Sequence, residues 1–505
     1  MLQIQNCTLL HTKDGHYLMN NFSMTANPGD KIVLIGEEGN GKSTFLQWIY
    51  DPSYIQSYIE YHGQCIQTNE RLAYLPQQLP AKYQALTIYE FFCESEAFFD
   101  HQTDIGKYAK TLGSPADLAF SDQIMMTLSG GEKVKVQLLR LLLDEPTCIL
   151  LDEPSNDLDI QTLEWLETWI NAYPGILFYI THDETLIENT AHQILHFEQL
   201  KKKTQPKVTL FKGNYATYLQ MRQRAFDRQK QQAQEQRKEK KQRDAKFQRI
   251  QQKVEHAQNT ITRQDAHGGQ LLKKKMHAVK SMERRFEKDD ANMLEIPEQE
   301  EAIRWMWMDP TPIPTSKQII QLHLDTLKTN RMLAQNINLS IVGPEKVCII
   351  GKNGAGKSTL LNIIYDQLAK REDMTVAYMP QNYSDQMDLA QSPIAFLSTY
   401  CSNQTIIRNG LAALKFTREE MEHDLAQLSG GQLAKCFFLA MGLKQANVLI
   451  LDEPTRNLSP LSNPLIRSMF QQFSGTIISV SHDRKYISEV CDVVYVLDDT
   501  GLHIS

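Results

Sequence analysis

One glycine-rich run occurs twice in this chain, and each copy is followed at the same spacing by the same later motifs. Gly36-Glu37-Glu38-Gly39-Asn40-Gly41-Lys42-Ser43-Thr44 recurs as Gly351-Lys352-Asn353-Gly354-Ala355-Gly356-Lys357-Ser358-Thr359. A Leu-Ser-Gly-Gly run follows each, at Leu128 and Leu428, and the Asp of a Leu-Asp-Glu-Pro stands 24 residues beyond each of those leucines. Two complete sets in one order call for two similar domains working as a pair. A third Leu-Asp-Glu-Pro puts Asp144 only 16 residues after Leu128, so Asp144 and Glu145 are expected to end the helix after the Ser-Gly-Gly turn.

A chain of 505 residues can hold two or three domains with cores of their own. Its 42% apolar and 22% charged residues are the balance of a soluble globular protein. No apolar run approaches the roughly 18 residues of a membrane span, and the first residues lack the layout of a signal peptide. Eight scattered cysteines with no CxxC pair point to reduced thiols in the cytoplasm, not to zinc or disulfides.

The net charge of -7 hides an asymmetry: residues 201–290 carry 25 Lys+Arg against 10 Asp+Glu, and the remainder carries 28 against 50. The basic segment is rich in Gln and nearly free of Pro and Gly, which favours long helices. Phe247, Ile250, Val254, Ala257 and Ile261 follow the 3-4 spacing of a coiled-coil seam, as do Leu272, Met276, Val279, Met282 and Phe286. His267-Gly268-Gly269 separates them. The reading is an antiparallel hairpin that starts near Tyr215, turns at about 262–271, stops before Pro297 and sets Phe247 near Phe286 and Ile261 near Leu272. A first helix of about 46 residues would make a rod of roughly 70 Å.

Elsewhere β-rich runs alternate with helical stretches, the pattern of parallel sheets covered by helices. Lys31–Ile35 and Lys346–Ile350 read as strands entering the glycine-rich turns, and Cys148–Leu151 and Val448–Leu451 as buried strands before the acidic pairs. Ile303, Trp305 and Trp307 alternate with Arg304 and Met306 as an edge strand, and Val493–Leu497 reads as a last strand near the end at Ser505.

A glycine-rich turn between strand and helix lets backbone N–H groups surround the phosphates of ATP, here at Gly36, Gly39, Gly41 and Thr44 and at Gly351, Gly354, Gly356 and Thr359. Lys42 and Lys357 would neutralise phosphate charge, and Ser43 and Ser358 would ligate Mg²⁺ with Asp152 and Asp452. Glu153 and Glu453 are placed to polarise the attacking water. Gln77 and Gln381 can sense metal and γ-phosphate, and His182 and His482 can approach the γ-phosphate from the far side.

This ordered set resembles ATP-binding cassette (ABC) proteins over both halves. The resemblance implies that Ser129, Gly130 and Gly131, and Ser429, Gly430 and Gly431, sandwich two ATP molecules head to tail, each P-loop facing the other half's signature. Two cassettes joined by a basic hairpin, with Phe211-Lys212-Gly213-Asn214-Tyr215-Ala216-Thr217-Tyr218 at its entry, are similar to the ABC-F family. The implied fold is α/β: ABC-type P-loop domains at 1–210 and 301–505, joined by an antiparallel helical linker at 211–300. The implied partner is the ribosome, its RNA and tRNA, with the hairpin inserted toward the peptidyl-transferase region. A basic rod follows phosphate backbones, while the acidic remainder disfavours indiscriminate binding.

Gln77 stands 41 residues after Gly36, against 30 from Gly351 to Gln381. The extra residues, near Asp51–Cys65, are too few for the helical arm of housekeeping members. With no C-terminal extension expected, the chain resembles the antibiotic-resistance group and is read as a monomer whose two cassettes pair. The alternatives are a housekeeping or stress translation factor of the same family, then the ATPase subunit of a membrane exporter or a DNA-associated ATPase. Glu37 and Glu38 stand where the second loop has Lys352 and Asn353, and Ser155–Asp159 differs from Thr455–Ser459. Unequal ATP sites follow as an expectation, with His11 as the candidate adenine-stacking ring.

Overall fold

The computed structural model describes residues 1–504 apart from 14, 116, 201–204, 261–265, 292–311, 329–331 and 384–385. The side chains of 257–260, 266–272, 287–289 and 291 are likewise outside the description. The expected edge strand at Ile303–Trp307 and much of the expected hairpin tip, with the Ile261–Leu272 pairing, therefore lie outside the described residues. The chain forms two compact units, Met1–Tyr215 with Glu300–Ser505, and Ala216–Gln299.

In the first unit the same sheet is built twice. Leu72–Leu75, Cys148–Asp152, Ile176–Ile180, Lys31–Gly36 and Gln193–Leu200 lie side by side in parallel, and Gln205–Lys212 closes the edge antiparallel. Val376–Met379, Val448–Asp452, Thr476–Val480, Lys346–Ile350, Val493–Asp498 and Gly501–Ile504 repeat that order and sense. Val493–Asp498 is thus followed by one more strand: a turn at Asp498–Gly501 lets Gly501–Ile504 cover its exposed edge. The inner strands are continuous apolar runs because both faces are covered, one by helices and the other by the P-loop helix together with an antiparallel sheet.

Each cassette adds an antiparallel sheet. Leu2–His11 runs between Tyr17–Ala26 and Ile59–Gln67, whereas Gln318–Lys328 pairs with Met332–Val342. The extra residues of the first cassette are therefore a short turn at Pro52–Tyr54 and a third strand. The sequence from Gly130 to Leu143 is one helix capped by Asp144, as the spacing argument requires.

In the second unit Tyr215–Thr260 is a 46-residue helix and Ala266–Ala291 a second helix. Phe247 and Phe286 meet edge to face at 5.5 Å, and Val254 and Val279 are both buried. Arg243 lies 4.3 Å from the centre of the Phe286 ring and pairs with Asp290, which also takes Lys240 at 2.8 Å. Two expectations need correction. Ile250 and Met282 are exposed, because a two-helix ribbon has one contact line and cannot cover every seam residue. Gly268 and Gly269 lie inside the second helix, in its first turn, not in the break.

Candidate functional site

The two P-loop strands sit centrally in their sheets, so their carboxyl ends open onto the site. Gly36 and Gly351 turn the chain there with φ of 145° and 152°; a Cβ would lie 2.4 Å from the Phe197 carbonyl oxygen and 2.3 Å from that of Leu497. Gly41 and Gly356, in left-handed conformation, start the helices Lys42–Tyr50 and Lys357–Leu368 with no side-chain cap. The first N–H groups of both helices are thus available to an anion.

Lys42 is buried, its ammonium 2.8 Å from the Gly36 carbonyl oxygen and 2.9 Å from that of Glu37. Lys357 folds back in the same way onto Gly351 and Lys352, at 2.8 and 3.0 Å. Burial lowers the pKa of both, against the pull of neighbouring carboxylates. Ser43 donates to Asp152 Oδ1 at 2.9 Å, Tyr74 donates to Asp152 Oδ2 at 3.0 Å, and burial pushes this carboxyl up to about 6. Ser358 likewise bonds Asp452, whose pKa burial also raises. Hydroxyl and carboxylate oxygens in contact are a donor set that suits Mg²⁺.

Glu153 and Glu453 leave their strands with φ of 51° and 52°, a left-handed backbone that non-glycine residues rarely adopt. Their environments differ sharply. Burial opposes the Glu153 charge, but His182, Asn156 and Lys42 prevail and hold its pKa at about 2. His182 Nε2 lies 3.2 Å from Oε1, and Gln77 donates to Oε2 at 2.9 Å. Around Glu453 burial wins and pushes the carboxyl up to about 8, although the His482 backbone N–H donates to it at 3.2 Å. The His482 ring is held down to about 4 by burial and by Lys357. Nδ1 of both histidines is buried with no hydrogen-bond partner among the described residues.

The second loop opens onto a cavity of about 440 Å³. Gly354, Lys357, Ser358, Thr359, Gln381, Asp452, Glu453 and His482 line it, with Ser155–Leu158 and His182 of the other cassette opposite. The first loop is in direct contact with the opposite signature. Glu38 of the first loop accepts from the Gly431 N–H at 3.1 Å. Ser129, Gly130 and Gly131 do not line the second cavity. A Cβ on Gly130 would stand 2.4 Å from the Asp157 carbonyl oxygen, so Asp157 lies over the start of that helix and itself accepts from Asn353, at 2.5 Å. Ser129 and Ser429 cap their own helices through Glu132 and Gln432. Thr44 bonds Tyr58, and Gly39 turns with φ of 78°.

A buried ion pair also joins the cassettes. Arg467 meets Glu184 at 2.5 and 3.3 Å, with side chains 4% and 3% exposed, and turns its Nε to Glu489 at 2.7 Å. Sequence reading missed this pair, Tyr74 and Asn156. For Tyr74 a signal existed in the matching Leu72-Ala73-Tyr74-Leu75 and Val376-Ala377-Tyr378-Met379 strands; the ion pair left none.

A family model described as ABC transporter matches residues 19–156 and 334–456. The ribosome protection protein VmlR of Bacillus subtilis is 29% identical over 94% of this chain and 83% of its own length. The ATP-binding protein Uup of Buchnera aphidicola is 27% identical over 94% and 77%, and the probable ATP-binding protein YheS of Escherichia coli K12 24% over 95% and 76%. Among solved structures, an archaeal ribosome recycling factor aABCE1 in complex with stalk protein aP1 superposes with a TM-score of 0.60, 16% identity and coverage of 99% and 89%. That likeness establishes the fold. No helix among the described residues is long and apolar enough to cross a membrane.

Proposed function

We propose, from the premise that this chain belongs to the ABC transporter family as a two-cassette ATPase of the ABC-F kind, that it binds the ribosome with ATP-closed cassettes and leaves after hydrolysis. The observation that carries this reading is the long basic hairpin between two complete cassettes, suited to RNA phosphates and a deep cavity. Likeness to a protein named for ribosome protection supports the finer reading, that the chain confers antibiotic resistance by protecting ribosomes in the cytoplasm. The hairpin tip would then set the outcome near the peptidyl-transferase region.

In the proposed cycle Lys42 and Lys357, with the N–H groups of their loops, bind the phosphates of two ATP molecules. Ser43, Asp152 and Gln77, and Ser358, Asp452 and Gln381, would hold Mg²⁺, which supplies compensation for phosphate charge. Glu153 and Glu453 take a proton from the water that attacks the terminal phosphate, the bond to the β-phosphate breaks, and ADP leaves. Glu153 is charged and oriented by His182 and Gln77, whereas Glu453 must first lose its proton.

The test is ribosome co-sedimentation of the Glu153→Gln, Glu453→Gln chain with and without ATP. ATP-dependent pelleting is expected. A chain that binds ATP yet stays in the supernatant removes the ribosome reading. Drug protection of translation by the wild-type chain then separates a resistance role from a housekeeping one.

A further inference from the structure

The two glycine-rich loops differ in charge at Glu37 and Glu38, whose counterparts are Lys352 and Asn353, and of the two acidic residues Glu38 is the one that reaches the other cassette. Asn353 gives its amide to the Asp157 carbonyl, leaving the space before Lys357 open at about 440 Å³. Glu38 turns its carboxylate to the N–H of Gly431, the second residue of the 14-residue helix Gly430–Leu443. Within that helix start the Gln432 N–H is already taken by Ser429, so Glu38 serves the neighbouring free donor. The gap lined by Glu37, Glu38, Ser429, Gly431 and Gln432 is only about 50 Å³.

An anion at a helix N-terminus is stabilised by the free N–H groups and the helix dipole, whether it is a carboxylate or a phosphate. Here the chain supplies that anion itself. We propose that Glu38 is a specificity residue of the first composite site: it takes the signature N–H that a terminal phosphate needs, so the site accepts a nucleoside diphosphate and disfavours a triphosphate. This rests on the ATPase reading above. The diphosphate part of a nucleotide reaches Lys42 and the loop N–H groups with the Glu38–Gly431 contact intact. A third phosphate has to displace the carboxylate and then lie beside it, and like charges at that distance repel.

The experiment measures equilibrium binding of fluorescent ATP and ADP analogues with Mg²⁺ to the full chain carrying Glu153→Gln and Glu453→Gln. Lys357→Ala isolates the first site and Lys42→Ala the second. The first site is expected to bind ATP at least about tenfold more weakly than the second, a difference of about 1.4 kcal/mol. Glu38→Asn, and the isosteric Glu38→Gln, should strengthen ATP there by about tenfold and change ADP by less than about twofold. Asn353→Glu should weaken ATP at the second site. Unchanged ATP affinity in both Glu38 variants, or equal gains for ATP and ADP, overturns the proposal and leaves the ATPase reading standing. No nucleotide bound at either loop in any variant overturns both.

Discussion

Arg467→Ala tests how the cassettes are held together. The guanidinium and Glu184 are nearly inaccessible and make two contacts, so removing the arginine leaves a buried carboxylate whose remaining cationic neighbour among the described residues is Lys485, at 3.4 Å. Breaking a buried pair from one side costs about 3–5 kcal/mol. For a cassette of this size that lowers the melting temperature by roughly 10 °C. Burial already raises the Glu184 pKa against the pull of Arg467, and loss of the arginine raises it further. In the variant the folded chain therefore keeps a proton on Glu184 at pH values where the unfolded chain has lost it. The deficit relative to wild type is small at low pH, grows as pH rises past the wild-type Glu184 pKa, itself above the ordinary carboxylate range, and levels off above the variant's still higher one. Glu184→Leu with Arg467→Met replaces both charges and should recover most of the loss. Paired melting curves of wild type, single and double variants across pH 5 to 8 give the answer. A deficit independent of pH, or a double variant as unstable as the sum of the singles, refutes the assignment of a desolvated pair.

Tyr74→Phe removes one hydrogen bond from Asp152 and should raise the Mg²⁺ needed for half-maximal ATPase by about tenfold, since a bond to a charged group contributes about 1.5–3 kcal/mol; a magnesium titration unchanged from wild type counts against it. Gly36→Ala places a methyl against the Phe197 carbonyl and should abolish nucleotide binding at the first loop while the second still binds, read by the same fluorescent analogues. Phe286→Ala takes away the ring that Phe247 and Arg243 contact. Limited trypsin digestion of the full chain should then cut within 216–299 several-fold faster, with nucleotide binding unaltered; an unchanged cleavage pattern would mean that this contact does not hold the helices together.

The strands before both loops, the helix ending at Asp144 and the Phe247–Phe286 pairing were legible because each rests on periodicity or spacing within a short stretch. That Ser43 and Asp152 belong to one phosphate-handling set was readable from the repeat, which supplied the same residues twice in one order; their direct hydrogen bond came from the fold. The residues near Asp51–Cys65 were visible as extra length, yet their becoming a strand depended on Leu2–His11 offering an edge to pair with.

What the amino-acid sequence determined by itself is therefore the two cassettes, the hairpin and the list of groups able to handle phosphate, because those follow from local pattern and from chemistry each residue carries with it. Tertiary structure alone decided which of those groups differ in state. Glu153 and Glu453 occupy the same motif, but His182, Asn156 and Lys42 hold the first carboxyl low, whereas around the second desolvation outweighs the His482 N–H, Lys357 and Arg456 and pushes it up. Glu38 against Gly431 and Arg467 against Glu184 join residues hundreds of positions apart, and their energetics come from desolvation and distance, quantities that exist only once the chain has folded.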